Sequence, residues 1–116
     1  MRYAELRQRL EDAALGSPGQ APGELRRAAF ARAARLAGVD AGGRSGATLP
    51  PALTPYVDKV ARHAYQVTDA DVIAVRRAGN SEDAVFEITV AAALGAALGR
   101  LERGLAALSS PPKGHS

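Results

Sequence analysis

Tyr56, Lys59 and His63 stand at i, i+3 and i+7 of one stretch, so a helix there puts them on a shared face. A phenol, an ammonium and an imidazole brought together are groups that could do acid–base chemistry at a carbonyl. The simpler reading of the same spacing is the half-exposed flank of an amphipathic helix. Glu87 is the fourth candidate, one carboxylate set into an otherwise apolar run. Buried, it would titrate high and need a cation, for which Arg62, Arg76 and Arg77 are the candidates. On a solvated flank it would be an ordinary surface acid.

Other chemistries are excluded by composition. The chain has no Cys, which removes disulfides, thiolate nucleophiles, dithiol redox chemistry and sulfur-ligated zinc. Its two histidines, His63 and His115, do not make a metal site alone, so neither a metal nor a cofactor is expected. The stretch from Gly38 through Gly43 to Arg44-Ser45 has the spacing of a phosphate-binding loop with Arg in place of Lys. A helix precedes it where that loop needs a strand, so it reads as a plain loop.

The elements that must hold these residues are all helical. Ala, Leu, Arg and Glu dominate, and no window alternates β-branched residues at strand length. We expect an all-α fold of about five helices in one domain over 1–110. An amphipathic helix over 2–15 presents Tyr3, Leu6 and Leu10. A second from about Pro22 to Ala37 presents Leu25, Ala29, Ala33 and Leu36, with Gly38 as its C-cap. A Gly/Pro loop over 38–50 follows. Thr54 should cap a third helix with Pro55 at its first position and Val57, Val60, Ala61 and Ala64 inside. A fourth starts at Thr68, where Asp71 completes a near capping box, faces Val72, Ile73 and Val75 inward, and closes at Gly79. The fifth, capped by Asn80 or Ser81, runs to about Leu108, and a disordered tail over 109–116 ends the chain.

That last helix is apolar almost all round over 84–99, as a helix buried on several sides would be. Leu94, Leu98, Leu101, Leu105 and Leu108 follow a 4-3-4-3 spacing, the seam of a coiled coil. Gly95, Gly99 and Gly104 interrupt it, which calls for a second helix passing close by. That helix belongs either to the same chain or to another copy. Residues 71–88 also have the outline of a helix–turn–helix, but its second helix opens Ser81-Glu82-Asp83, which phosphates repel.

Of the 28 large apolar residues, nineteen lie beyond residue 48, so the second half should build the core. The net charge of +3 comes from residues 1–48, where eight Arg face five acids. With 4% aromatics and no Trp, this is a poor nucleic-acid binder. The apolar run over 88–99 is too short to span a membrane, and no signal peptide is visible, so a soluble cytoplasmic protein is the default.

The phrases Val67-Thr68-Asp69-Ala70-Asp71-Val72 and Arg77-Ala78-Gly79-Asn80-Ser81-Glu82-Asp83-Ala84-Val85-Phe86-Glu87 carry a resemblance. Continued through the Ala-rich helix to Leu98-Gly99-Arg100-Leu101, the chain resembles the carboxymuconolactone decarboxylase and alkylhydroperoxidase-D-like superfamily over about residues 52–108. The shared pattern is a short helix, a Gly-x-Ser-acid turn, and a long buried helix ending near an Arg. The resemblance implies an alkylhydroperoxidase-D-like helical bundle that assembles as a trimer or a hexamer. Peroxidase members carry Cys-x-x-Cys with a His four residues on. Tyr56 and Lys59 occupy the cysteine positions of that spacing here, and only His63 carries over.

Without cysteines, thiol peroxidase and disulfide reductase activity are not expected. The leading reading is a Cys-less structural or partner-binding subunit that self-associates through the Leu94–Leu98–Leu101–Leu105–Leu108 seam. A small decarboxylase- or isomerase-type enzyme using His63, with Tyr56, Lys59 or Glu87, is the second. An unrelated helical binding module with weak nucleic-acid affinity is the third.

Overall fold

The computed structural model describes residues 21–38 and 49–109, together with Glu5, Gln8, Arg9, Asp12 and Gly19. Among these there are four α-helices and no strand: α1 (Gly23–Ala37), α2 (Thr54–His63), α3 (Asp69–Arg77) and α4 (Glu82–Ser109). A single 3-10 turn, Ala64–Gln66, follows α2. Of the helix expected over 2–15, the described residues Glu5, Gln8, Arg9 and Asp12 are helical and exposed, and its apolar stripe lies outside the described residues. So do most of the 38–50 loop, including the phosphate-loop-like stretch beyond Gly38, and the tail beyond Ser109.

The core is a small-residue core. Ten alanines are buried in it, and Ile88, Val57 and Leu53 are its largest fully enclosed side chains. Small residues let backbones approach, and α1 and α4 use this along their whole contact. A Cβ at Gly99 would stand 2.6 Å from the Ala34 carbonyl oxygen, and one at Gly95 would collide with the Phe30 carbonyl. Residue 30 thus lies on 95 and residue 34 on 99, so the two helices run parallel. Glycine at 38 has the same cause: a Cβ there would meet Gly99 Cα at 2.6 Å. Its backbone is extended rather than left-handed, and its N–H still closes the helix on Ala34 O at 2.9 Å.

This close approach turns α1 further than its apolar pattern indicates. Ala28, Ala29, Phe30, Ala33 and Ala37 are buried, whereas Leu25 and Leu36 only edge the core. Arg26 is buried too.

In α2, Leu53 and not Thr54 takes the N-cap place, and the Thr54 hydroxyl donates to Pro50 O at 3.3 Å. Tyr56, Val57, Val60 and Ala61 are buried, while Ala64 has left the helix for the exposed 3-10 turn. The capping box of α3 is present as expected: Asp71 N–H donates to Thr68 Oγ1 at 3.3 Å, and Thr68 N–H donates to Asp71 Oδ2 at 2.9 Å. Of its apolar residues Val75 is buried, Val72 half-buried and Ile73 exposed.

Gly79, at φ +108°, makes the turn into α4, and Asn80 Nδ2 seals it by donating to Val75 O at 3.0 Å. That leaves Ser81 to cap α4, accepting from Ala84 N–H at 3.1 Å. The helix–turn–helix order read from residues 71–88 is therefore present as α3, turn and α4.

Helix α4 has 28 residues, about 42 Å at 1.5 Å per residue, against about 22 Å for α1. Ala21 lies beside Glu87 and Gly38 beside Gly99, so α1 covers only the first two-thirds of α4. Past Arg100 the helix overhangs the bundle with every described side chain exposed except half-buried Glu102. The segment Glu82–Leu108 has the length and mean hydropathy, 1.6 over eighteen residues, of a membrane-crossing helix, and half of that window is buried against its own chain.

Candidate functional site

The four candidate residues lead to four different partners. Tyr56 is buried, and its hydroxyl lies 2.6 Å from Thr89 Oγ1 on α4. Thr89 spends its own proton on Val85 O at 2.7 Å, so Tyr56 is the donor to Thr89. The phenol is a tie between α2 and α4, with its one proton already committed. Lys59 is an ion pair with Asp71 at 2.8 Å, and the same carboxylate closes the α3 capping box. Held by the Lys59 ammonium first and the Thr68 N–H second, the Asp71 carboxyl titrates below the usual carboxylate range. Lys59 therefore joins α2 to the start of α3.

His63, the last residue of α2, is exposed, with its ring edge-on to Tyr65 at 6.0 Å between centroids. The shared helix face predicted for Tyr56, Lys59 and His63 exists, but it runs from core to water along α2.

Glu87 reaches across to the chain that enters α1. Half-buried, it accepts from the Ala21 N–H at 2.8 Å and presses on Gly19, where a Cβ would come within 2.5 Å of Oε1. It fastens the chain entering α1 to α4, at the helix end where a carboxylate is favoured by the dipole. Arg76 sits instead at 3.6 Å from Glu82, and Arg62 faces Asp58. Among the described residues no three His, Asp or Glu side chains gather as metal ligands.

Two polar ties carry no motif in the sequence. Arg32 of α1 grips Asp58 of α2 with two bonds, one from Nε and one from Nη2 at 2.8 Å. These bonds hold the Asp58 carboxyl below the usual range and raise Arg32. Arg100 donates to Ala61 O in the last turn of α2, where the helix leaves carbonyls without partners. Neither pair has a sequence spacing to betray it, since partners 26 and 39 residues apart meet only through the fold.

Among the described residues, one face of α4 stays exposed. The expected burial of 84–99 on several sides holds for Ala84, Val85, Ile88, Ala91, Ala92 and Ala96. Phe86, Val90, Ala93 and Ala97 form an exposed stripe between them. The leucine seam divides: Leu98 is buried on the core side and Leu94 half-buried, whereas Leu101, Leu105 and Leu108 are exposed on the overhang. The stripe and the overhang together make one apolar ridge, with Phe86 69%, Val90 41%, Leu101 41% and Leu108 85% exposed. Gly95 and Gly99 are explained by α1. Gly104 is not, because a Cβ there would meet nothing within 4 Å.

The chain matches none of the protein-family models, curated proteins or solved structures with which it was compared.

Proposed function

We propose that this protein is a helical assembly subunit that works by association through the α4 ridge rather than by catalysis. On this reading it is a cysteine-free relative of the carboxymuconolactone decarboxylase-like proteins it resembles. One observation carries the proposal: five large apolar side chains, Phe86, Val90, Leu101, Leu105 and Leu108, stand in water along one long helix. Scattered apolar residues on a surface need no explanation, but a continuous ridge is the mark of an interaction surface. The engagement of the Tyr56 hydroxyl and Lys59 in ties between helices supports the same reading, since it leaves the acid–base alternative only His63 at the surface.

Light scattering coupled to size exclusion tests this directly. The wild-type chain should have a mass above its 12.0 kDa, and a trimer or hexamer would fit the resemblance. Val90→Glu, at an exposed position, should return it to the single-chain mass with its helical content intact. A wild type that stays at the single-chain mass over a wide concentration range would refute the proposal.

A further inference from the structure

We infer that the occupant of the α4 ridge is the α4 of a second copy, lying antiparallel about a two-fold axis near residue 95. In this arrangement Phe86 of each copy seats over Gly104 of the other. The inference rests on the assembly reading above and gives it a partner, an orientation and a register.

Three observations lead to it. The first is the unexplained glycine. A mid-helix glycine costs about 1 kcal/mol relative to alanine. Gly95 and Gly99 offset that with the close approach of α1, but Gly104 touches nothing within 4 Å. A hole without a knob among the described residues fits a knob from another copy. The second is registry. Phe86 and Gly104 are eighteen residues apart, about five full turns, so they lie at the same azimuth on the helix. The pairs Phe86 with Gly104 and Ala93 with Ala97 are both centred on residue 95. One antiparallel register therefore lays the most exposed ring of the ridge on the residue with no side chain, and sets small residues opposite each other at the axis. The same surface serves both copies, as a two-fold contact requires.

The third observation is charge. Glu82 and Asp83 are exposed at the start of α4, and Arg100 and Arg103 are exposed toward its end. An antiparallel pair turns the acidic end of one copy toward the basic end of the other. A parallel pair or a parallel trimer stacks like charges within about a Debye length. The antiparallel dimer is thus favoured over the trimer that the family resemblance implies.

The chain has no Cys, so single cysteines can report the geometry without interference. Phe86→Cys and Gly104→Cys are made separately, mixed, and oxidised mildly. The mixture should give a cross-linked dimer, and neither variant alone should do so. Gly104→Leu should weaken the dimer by about tenfold or more by filling the hole. Its helical content should not fall, since leucine is the better helix former and has open space there. Combining Phe86→Ala with Gly104→Phe exchanges knob and hole and should restore association.

Cross-linking of either single-cysteine variant with itself would overturn the antiparallel register while the assembly reading stood. Undiminished association of Gly104→Leu would do the same. A wild type with the single-chain mass throughout would overturn the register and the assembly reading together.

Discussion

Alanine at position 95 or 99 should loosen the α1–α4 contact, whereas alanine at position 104 should strengthen the same helix. The chemical change is identical in all three, and helix propensity alone rewards each by about 1 kcal/mol. The structure makes the signs diverge. At Gly95 the new Cβ collides with the Phe30 carbonyl oxygen and stands 3.0 Å from Phe30 C and Cα. At Gly99 it stands 2.6 Å from Ala34 O and 3.2 Å from Ala34 C. These are backbone atoms and cannot rotate away, so the two helices must separate by about 1 Å to restore ordinary contact. A gap of that size forfeits a quarter to a half of the dispersion between facing atoms. Overpacking of this kind costs about 1–3 kcal/mol, and a long rigid contact puts the change at the upper end. Net of the propensity gain, Gly95→Ala and Gly99→Ala should each destabilise by about 1–2 kcal/mol. Gly104→Ala should stabilise by up to about 1 kcal/mol. Urea unfolding followed by circular dichroism, in dilute protein to keep self-association out, reads all three as midpoint shifts at unchanged slope. If Gly95→Ala and Gly99→Ala are as stable as Gly104→Ala, the parallel close packing of α1 on α4 is wrong.

Two further outcomes follow from the polar ties. The Asp58 carboxyl is held low by Arg32, so its contribution is complete above the usual carboxylate range and is lost as pH falls through its depressed folded value. Asp58→Asn should therefore cost about 0.5–1 kcal/mol near pH 7, a modest figure because the Arg32 side chain is 35% exposed, and the gap to wild type should close below about pH 4; a gap independent of pH would dismiss the pair as a stabilising element. Thr68→Ala removes the N-cap acceptor of α3 and should cost about 1 kcal/mol in the same urea assay, with Thr68→Ser restoring most of it; equal stability of the alanine and serine variants would show that the cap contributes nothing.

The helices, and the ends around α3 and the start of α4, were legible because local chemistry writes them, whereas both ends of α2 were misplaced by a residue. Thr68 and Asp71 form their box within four residues, and Gly79 makes its turn with a backbone angle that other residues avoid. The need for a close neighbour was read at Gly95, Gly99 and Gly104 alike, and α1 supplies it at the first two but not at Gly104. What the local pattern misjudged were faces. Leu25, Leu36 and Ile73 are apolar and periodic yet lie at the edge or outside, while Ala28 and Ala37 join the expected Ala29 and Ala33 inside. Amphipathic periodicity assumes that the largest apolar residues face the core. In this chain the closest packing is backbone on backbone, and small residues win the interior.

The candidate site shows the same division. Residue types and spacing along α2 correctly placed Tyr56, Lys59 and His63 on one helical face. They could not say that α4 would bring Thr89 to the phenol, or that α3 would bring Asp71 to the ammonium. Glu87 was recognisable as an odd carboxylate, but its bond to a main-chain N–H sixty-six residues earlier leaves no trace in side-chain spacing. All-helical character, the absence of thiol chemistry and the capped turn from α3 into α4 could be read from the residues alone, because each is set by composition or within a few residues. Which helix came close to Gly95 and Gly99, which carboxylate met which cation, and that α4 outruns α1 with an apolar ridge in water were settled by packing. Those outcomes depend on relative lengths and on how closely two backbones pass, and both are properties of the packed helices together.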